Sequence, residues 1–123
     1  MLVKLEQADG VTLRPSGVAA ISLRLLTFAR PGGTILIADH IYAIMRAFCE
    51  NVLARMCVTP RYFDPMIGAG IAELIDDTTC AVMFGATGSG MFEMPDTPFI
   101  AAAAKAAGVP SILDSTWATP IFC

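Results

Sequence analysis

Two stretches of this chain carry no polar alternation. Thr34-Ile35-Leu36-Ile37-Ala38 and Cys80-Ala81-Val82-Met83-Phe84 are short and apolar on successive residues. A strand with one wet face alternates, so a strand that does not must be covered on both sides. Stretches of helical length surround them: VAAISLRLLTFA before the first, residues 42–56 between them, and residues 97–107 after the second. Such alternation predicts βαβ units, hence an α/β fold with a mostly parallel sheet flanked by helices.

The remaining segments fit the same scheme. Leu2 to Ala8 reads as the tail of a helix stopped by Asp9-Gly10, and Val11-Thr12-Leu13 as a brief extended piece. In residues 42–56 the spacing puts Ile44, Phe48, Val52 and Met56 on one face. Val58 to Phe63 reads as a weak strand interrupted by Pro60, and Ile71 to Ile75 as a short helix. Asp96 is placed to cap the helix over 97–107, with Pro98 in its first turn and Gly108 at its stop. Ser111-Ile112-Leu113 is the last strand, with Asp114 at its end.

At 123 residues the chain is long enough for one domain. Only 15% of it is charged and 55% is hydrophobic, whereas ordinary globular chains carry roughly 25% charged residues. Such a chain is either a small domain with little surface or part of a larger body. Its net charge of −3 and scattered Lys and Arg argue against nucleic acid as a partner. No apolar run approaches the ~20 residues of a membrane span, and the first residues lack a secretory pattern, so no membrane partner is expected. Cys49, Cys57, Cys80 and Cys123 have neither CxxC spacing nor a nearby His cluster, which predicts buried thiols and no metal site.

Several residues sit where chemistry is done. Ser16-Gly17-Val18 opens a helix, so its backbone N–H groups form an anion site, although a plain N-cap is the simpler account taken alone. Tyr42 follows the first buried strand and Asp114 the last, which puts both on the carboxyl edge of a parallel sheet, where ligands bind. A surface tyrosine and a turn aspartate are the blander accounts. Gly85 to Gly90 looks like a phosphate loop but lacks the Lys and spacing of a P-loop. His40 has no partner pattern and reads as structural or solvent-facing.

In order along the chain, PSGVAAISL, ADHIYAIMRAFCENVLARM, YFDPMIGAGIAELI, GSGMFEM with IAAAAKAAG, and DSTWATPIF resemble the cystathionine β-lyase branch of the Cys/Met-metabolism enzymes. The resemblance implies the large domain of the aspartate-aminotransferase-type fold, with pyridoxal 5′-phosphate (PLP) as cofactor. It further implies carbon–sulfur β-elimination on a small sulfur amino acid in methionine biosynthesis, a cytoplasmic location and a homo-oligomer. Gly17 and Val18, led by Ser16, would wrap the cofactor phosphate. Tyr42 would stack on the pyridine ring, Asp114 would bond the protonated ring nitrogen, and Thr116 would join the cofactor contacts.

The resemblance has departures. The family's Tyr-x-Pro reads Tyr42-Ala43-Ile44 here, and its Glu-Ser-Pro-Gly-Ser reads Gly85-Ala86-Thr87-Gly88-Ser89, which predicts a more flexible loop after Phe84. Ser115 replaces an Asn and Cys57 a Gly. The family's Schiff-base lysine belongs to a segment downstream of the last strand here, and the only lysines present are Lys4 and Lys105. Residues 1–123 are therefore expected to be a partial PLP-binding domain without the upstream arm, the lysine segment or the C-terminal domain. No catalytic residue is assigned and covalent cofactor attachment is not expected. The alternative is a non-catalytic α/β fragment or gene remnant that binds PLP weakly or pairs with a complementary polypeptide, its open sheet edges favouring association or aggregation.

Overall fold

The computed structural model describes residues 1–118. Four parallel strands form one sheet in the order β2-β1-β3-β4: β1 is Thr34–Ala38, β2 Thr59–Phe63, β3 Thr79–Gly85 and β4 Ser111–Asp114. Ile37 lies between Tyr62 and Met83, and Gly85 lies beside Asp114. Around the sheet run α1 (Leu2–Leu5), α2 (Gly17–Phe28), α3 (Ala43–Phe48), α4 (Ile71–Leu74) and α5 (Thr97–Ala106). The last turns of α3 continue into a wider π-wound segment, Cys49–Leu53.

Period-two alternation divides the buried strands between two cores. Ile35, Ile37, Ala81 and Met83 meet Leu25 of α2 and Met45, Cys49 and Leu53 of α3 and its continuation. Leu36, Ala38, Val82 and Phe84 meet Ile71 of α4 and Ile100 and Ala104 of α5 on the other side. Burying each large side chain contributes about 1.5–3 kcal/mol, so both faces of β1 and β3 are selected to be apolar. Pro60 is accommodated because β2 is an edge strand. β4 forms the other edge.

The structure departs from the sequence reading of the fold in three places. The face of α3 that packs is Met45, Cys49 and Leu53, while Ile44, Val52 and Met56 stay 40–50% exposed. Adjacent apolar pairs (Ile44-Met45, Phe48-Cys49, Val52-Leu53) let spacing select either row, and the wider π winding aligns residues four apart. The N-terminal helix is one turn, ended by Gln7 at φ 50° rather than reaching Ala8. Residues 11–13, read only as a brief extended piece, lie outside the sheet. Cys49 and Cys80 are buried as expected but Cys57 is exposed, at φ 58°, the left-handed region that favours glycine. Cys123 lies outside the described residues.

The helix starts obey the sequence signals. Ser16 Oγ accepts from Ala19 N–H at 3.1 Å, and Asp96 Oδ1 accepts from Phe99 N–H at 3.0 Å. Gly108, at φ 71°, makes the turn after α5. Among the described residues, no helix is long and apolar enough to cross a membrane.

Candidate cofactor site

The strand order creates the site. From β1 the chain moves to β2 on one side, while β3 lies on the other, so the loops after β1 and β3 diverge and leave a crevice at their carboxyl ends. A cavity of about 380 Å³ opens there, within the ~300–1,000 Å³ range of small-ligand pockets. Ser16, Gly17, Val18, Tyr42, Asp114 and Thr116 all line it. These residues span the start of α2, the turn before α3 and the end of β4, and the fold brings them together.

Each contributes a distinct group. Ser16 uses its hydroxyl on Ala19 N–H and its carbonyl on Ala20 N–H, so the N–H groups of Gly17 and Val18 have no acceptor among the described residues. They sit at the positive end of a 12-residue helix, an arrangement that attracts an anion. A Cβ on Gly17 would meet nothing within 4 Å, so the space beside that N–H is open. Tyr42 is 47% exposed and offers a ring face at the rim. Asp114 Oδ1 accepts from Thr116 N–H at 3.0 Å and from Thr116 Oγ1 at 2.5 Å, which fixes the carboxylate's orientation.

Further lining residues include His40, which the sequence reading set aside as structural or solvent-facing, and Thr87 and Ser89, which it saw only as part of the weak Gly85 to Gly90 phosphate-loop signal. His40 is buried, not solvent-facing, and its Nε2 accepts from Gly85 N–H at 3.1 Å. A Cβ on Gly85 would come within 3.3 Å of that nitrogen, so glycine here gives the imidazole its room. The loop after Phe84 is also better held than its composition suggests. Ala86 N–H donates to Asp114 O (2.9 Å), Gly88 N–H to Glu93 O (2.9 Å) and Ser89 N–H to His40 O (3.1 Å). Glycine removes side-chain constraints, but backbone partners supplied by β4 and by the β1–α3 turn replace them.

Charged groups brace the rim from outside. Arg46 pairs with the Asp39 carboxylate, donates to Asp39 O at 3.0 Å and lies 3.9 Å over the Tyr62 ring. Tyr62 in turn donates to Glu50 at 3.2 Å, and burial pushes its phenol up to about 12. Cys49 behind them is raised to about 11 by burial, which makes it a packing thiol rather than a nucleophile.

A larger hollow of about 870 Å³ opens at the opposite end of the sheet, lined by Arg30, Thr79, Lys105 and the Gly108–Ser111 turn among others. It holds neither a carboxylate nor a helix start, and none of the candidate residues.

Residues 1–123 match, over their whole length, the family described as Cys/Met metabolism PLP-dependent enzyme. The chain belongs to that family. Provisionally named cystathionine beta-lyases from Saccharomyces cerevisiae and Rhizobium johnstonii are 40% and 42% identical to it over 113 and 118 residues, which is 92% and 96% of this chain. It spans about a third of their length, 33% and 30%. The solved O-acetylhomoserine sulfhydrylase of Wolinella succinogenes shares the fold with a TM-score of 0.90 at 26% identity, covering 97% of this chain and 34% of that one. The four-stranded sheet with its helices is thus a piece of architecture that PLP-dependent enzymes of sulfur amino-acid metabolism share.

Proposed function

We propose that residues 1–123 form the cofactor-binding part of a cytoplasmic PLP-dependent carbon–sulfur β-lyase, and that alone they hold the cofactor without covalent attachment or turnover. One observation carries the reading: a helix start with two free N–H groups, an aromatic ring and an oriented carboxylate line a single cavity. Those groups fit PLP. Gly17 and Val18 N–H would take its phosphate with the α2 dipole behind them, and Tyr42 would cover its ring. Asp114, held through Oδ1 by Thr116, would accept from the ring N–H and keep that nitrogen protonated. When bound, the cofactor supplies an electron sink for a carbanion on the substrate's α-carbon. The identity to cystathionine beta-lyases supports the β-lyase branch.

Lys4 and Lys105 carry the second half of the proposal. Lys4 is exposed on α1, and Lys105 lines the hollow at the opposite end of the sheet. Neither amine lines the cavity, so this stretch supplies no amine for covalent attachment there. The exposed Leu13, Met91, Leu113 and Trp117 favour a second reading, in which the chain pairs with a complementary polypeptide.

Absorption spectroscopy of the chain mixed with PLP tests the first reading. We expect bound cofactor that dialysis removes, no lysine adduct in the mass spectrum after borohydride, and no pyruvate from cystathionine. Cofactor that survives dialysis on Lys4 or Lys105 contradicts it.

A further inference from the structure

Two buried polar atoms beside the cavity have no hydrogen-bond partner among the described residues: His40 Nδ1 and Glu93 Oε2. They are complementary. Because His40 Nε2 accepts from Gly85 N–H, the neutral ring must carry its proton on Nδ1, which makes Nδ1 a donor, while an ionised carboxylate oxygen is an acceptor. Both flank Gly88, where an added Cβ would come within 2.5 Å of Glu93 Oε2 and 3.0 Å of His40 Cβ. Leaving such a pair unsatisfied costs free energy that a direct or single-water link would recover.

We propose that His40 and Glu93 are a positioning pair for the cavity: neutral His40 holds the β3–α5 loop closed by accepting from Gly85 N–H and donating through Nδ1–H to the Glu93 carboxylate, directly or through one water. The loop they hold carries Thr87 and Ser89 into the cavity and Phe92 against Trp117, ring centroids 5.5 Å apart. Adding a proton to Nε2 would set N–H against the Gly85 N–H and open the loop.

The surroundings of His40 favour its neutral form. Burial pushes its pKa below the ordinary 6.5, and the carboxylates of Glu93 and Asp39 oppose this only in part. Asp39 is engaged by Arg46, Asp114 lines the same cavity from β4, and Tyr42 lies on the neighbouring turn. The Gly85 N–H bonds only the neutral ring and so acts with burial. A depressed histidine contributes stability above pH 6.5, lost as pH falls from there through the folded-state value.

The first arm of the test needs no ligand and so does not depend on the cofactor reading. Imidazole 15N spectra and Trp117 emission of the whole chain are followed through acid pH; Trp117 is its only tryptophan. We expect the Nδ1–H tautomer, and one shared midpoint for the ring and the emission. His40→Gln, whose amide accepts and donates without titrating, should flatten the emission change, and Glu93→Gln should move the midpoint to lower pH. An Nε2–H tautomer, or a ring that titrates with no change in emission, overturns the pair. The second arm rests on the cofactor reading: relative to His40→Gln, wild-type PLP affinity should fall about twofold at the midpoint and about tenfold one pH unit below it. Equal pH profiles for the two proteins overturn the pair and leave the cofactor reading standing. Failure of both to bind PLP, with the Trp117 titration intact, overturns the cofactor reading and leaves the pair supported.

Discussion

The amino-terminal end of the sheet holds the larger hollow, and the carboxyl-terminal end holds the smaller one. At the amino-terminal end, next to Thr79 of the larger hollow's lining, polar groups answer one another: Asp76 Oδ1 accepts from Thr78 N–H and Oγ1 at 2.9 and 2.6 Å, Thr79 Oγ1 accepts from Asp76 N–H at 3.0 Å, and Thr78 bonds Thr34. Around the smaller, the Gly17 and Val18 N–H groups and the buried His40 Nδ1 and Glu93 Oε2 atoms have no hydrogen-bond partner among the described residues. Volume therefore does not distinguish the two hollows in favour of the candidate residues, whereas unanswered polar groups do. A self-satisfied cluster stabilises the fold, and an unsatisfied one leaves donors and acceptors for a ligand, a water or one another.

Substitutions at the two ends separate these roles. Asp114→Ala should weaken PLP binding about ten- to hundredfold, the loss of one charge-assisted hydrogen bond, with the melting temperature nearly unchanged. Arg30→Ala in the opposite hollow should leave the affinity as it was. Spectroscopic titration of both variants reads the contrast. Thr79→Val should do the reverse, lowering stability by about 1–2 kcal/mol in urea denaturation while the folded protein binds normally. Ser16→Ala bridges the two behaviours, since the hydroxyl both caps α2 and borders the cavity. It should cost about 1 kcal/mol of stability and weaken binding several-fold. Cys57→Gly, in the turn before β2 and outside the lining of either hollow, should relieve the left-handed backbone and raise stability by about 0.5 kcal/mol in the same denaturation assay.

Much of this arrangement was legible in the sequence, for reasons that also explain what was not. β1 and β3 declared themselves because strands covered on both faces lose their alternation. Asp96 and Gly108 announced the ends of α5 through local capping, which needs no tertiary information. The packing face of α3 was hidden, because apolar residues come there in adjacent pairs and only the sheet chooses between rows. His40 was hidden for a different reason: its partner is a backbone N–H 45 residues away, and a backbone donor leaves no residue type to find. Glu93 gave no signal either, since its buried oxygen is defined by the fold of its loop around Gly88. The cofactor candidates were visible mainly because the motifs that carry the family resemblance include them.

Amide NMR of the whole chain during titration with PLP, and separately with pyridoxal lacking the phosphate, asks most directly whether the carboxyl rim is the binding site. We predict saturable shifts at Gly17, Val18 and Thr116 with PLP, and loss of the Gly17 and Val18 shifts with pyridoxal. Shifts confined to Arg30, Lys105 and Gly108, at the far end of the sheet, would contradict the account.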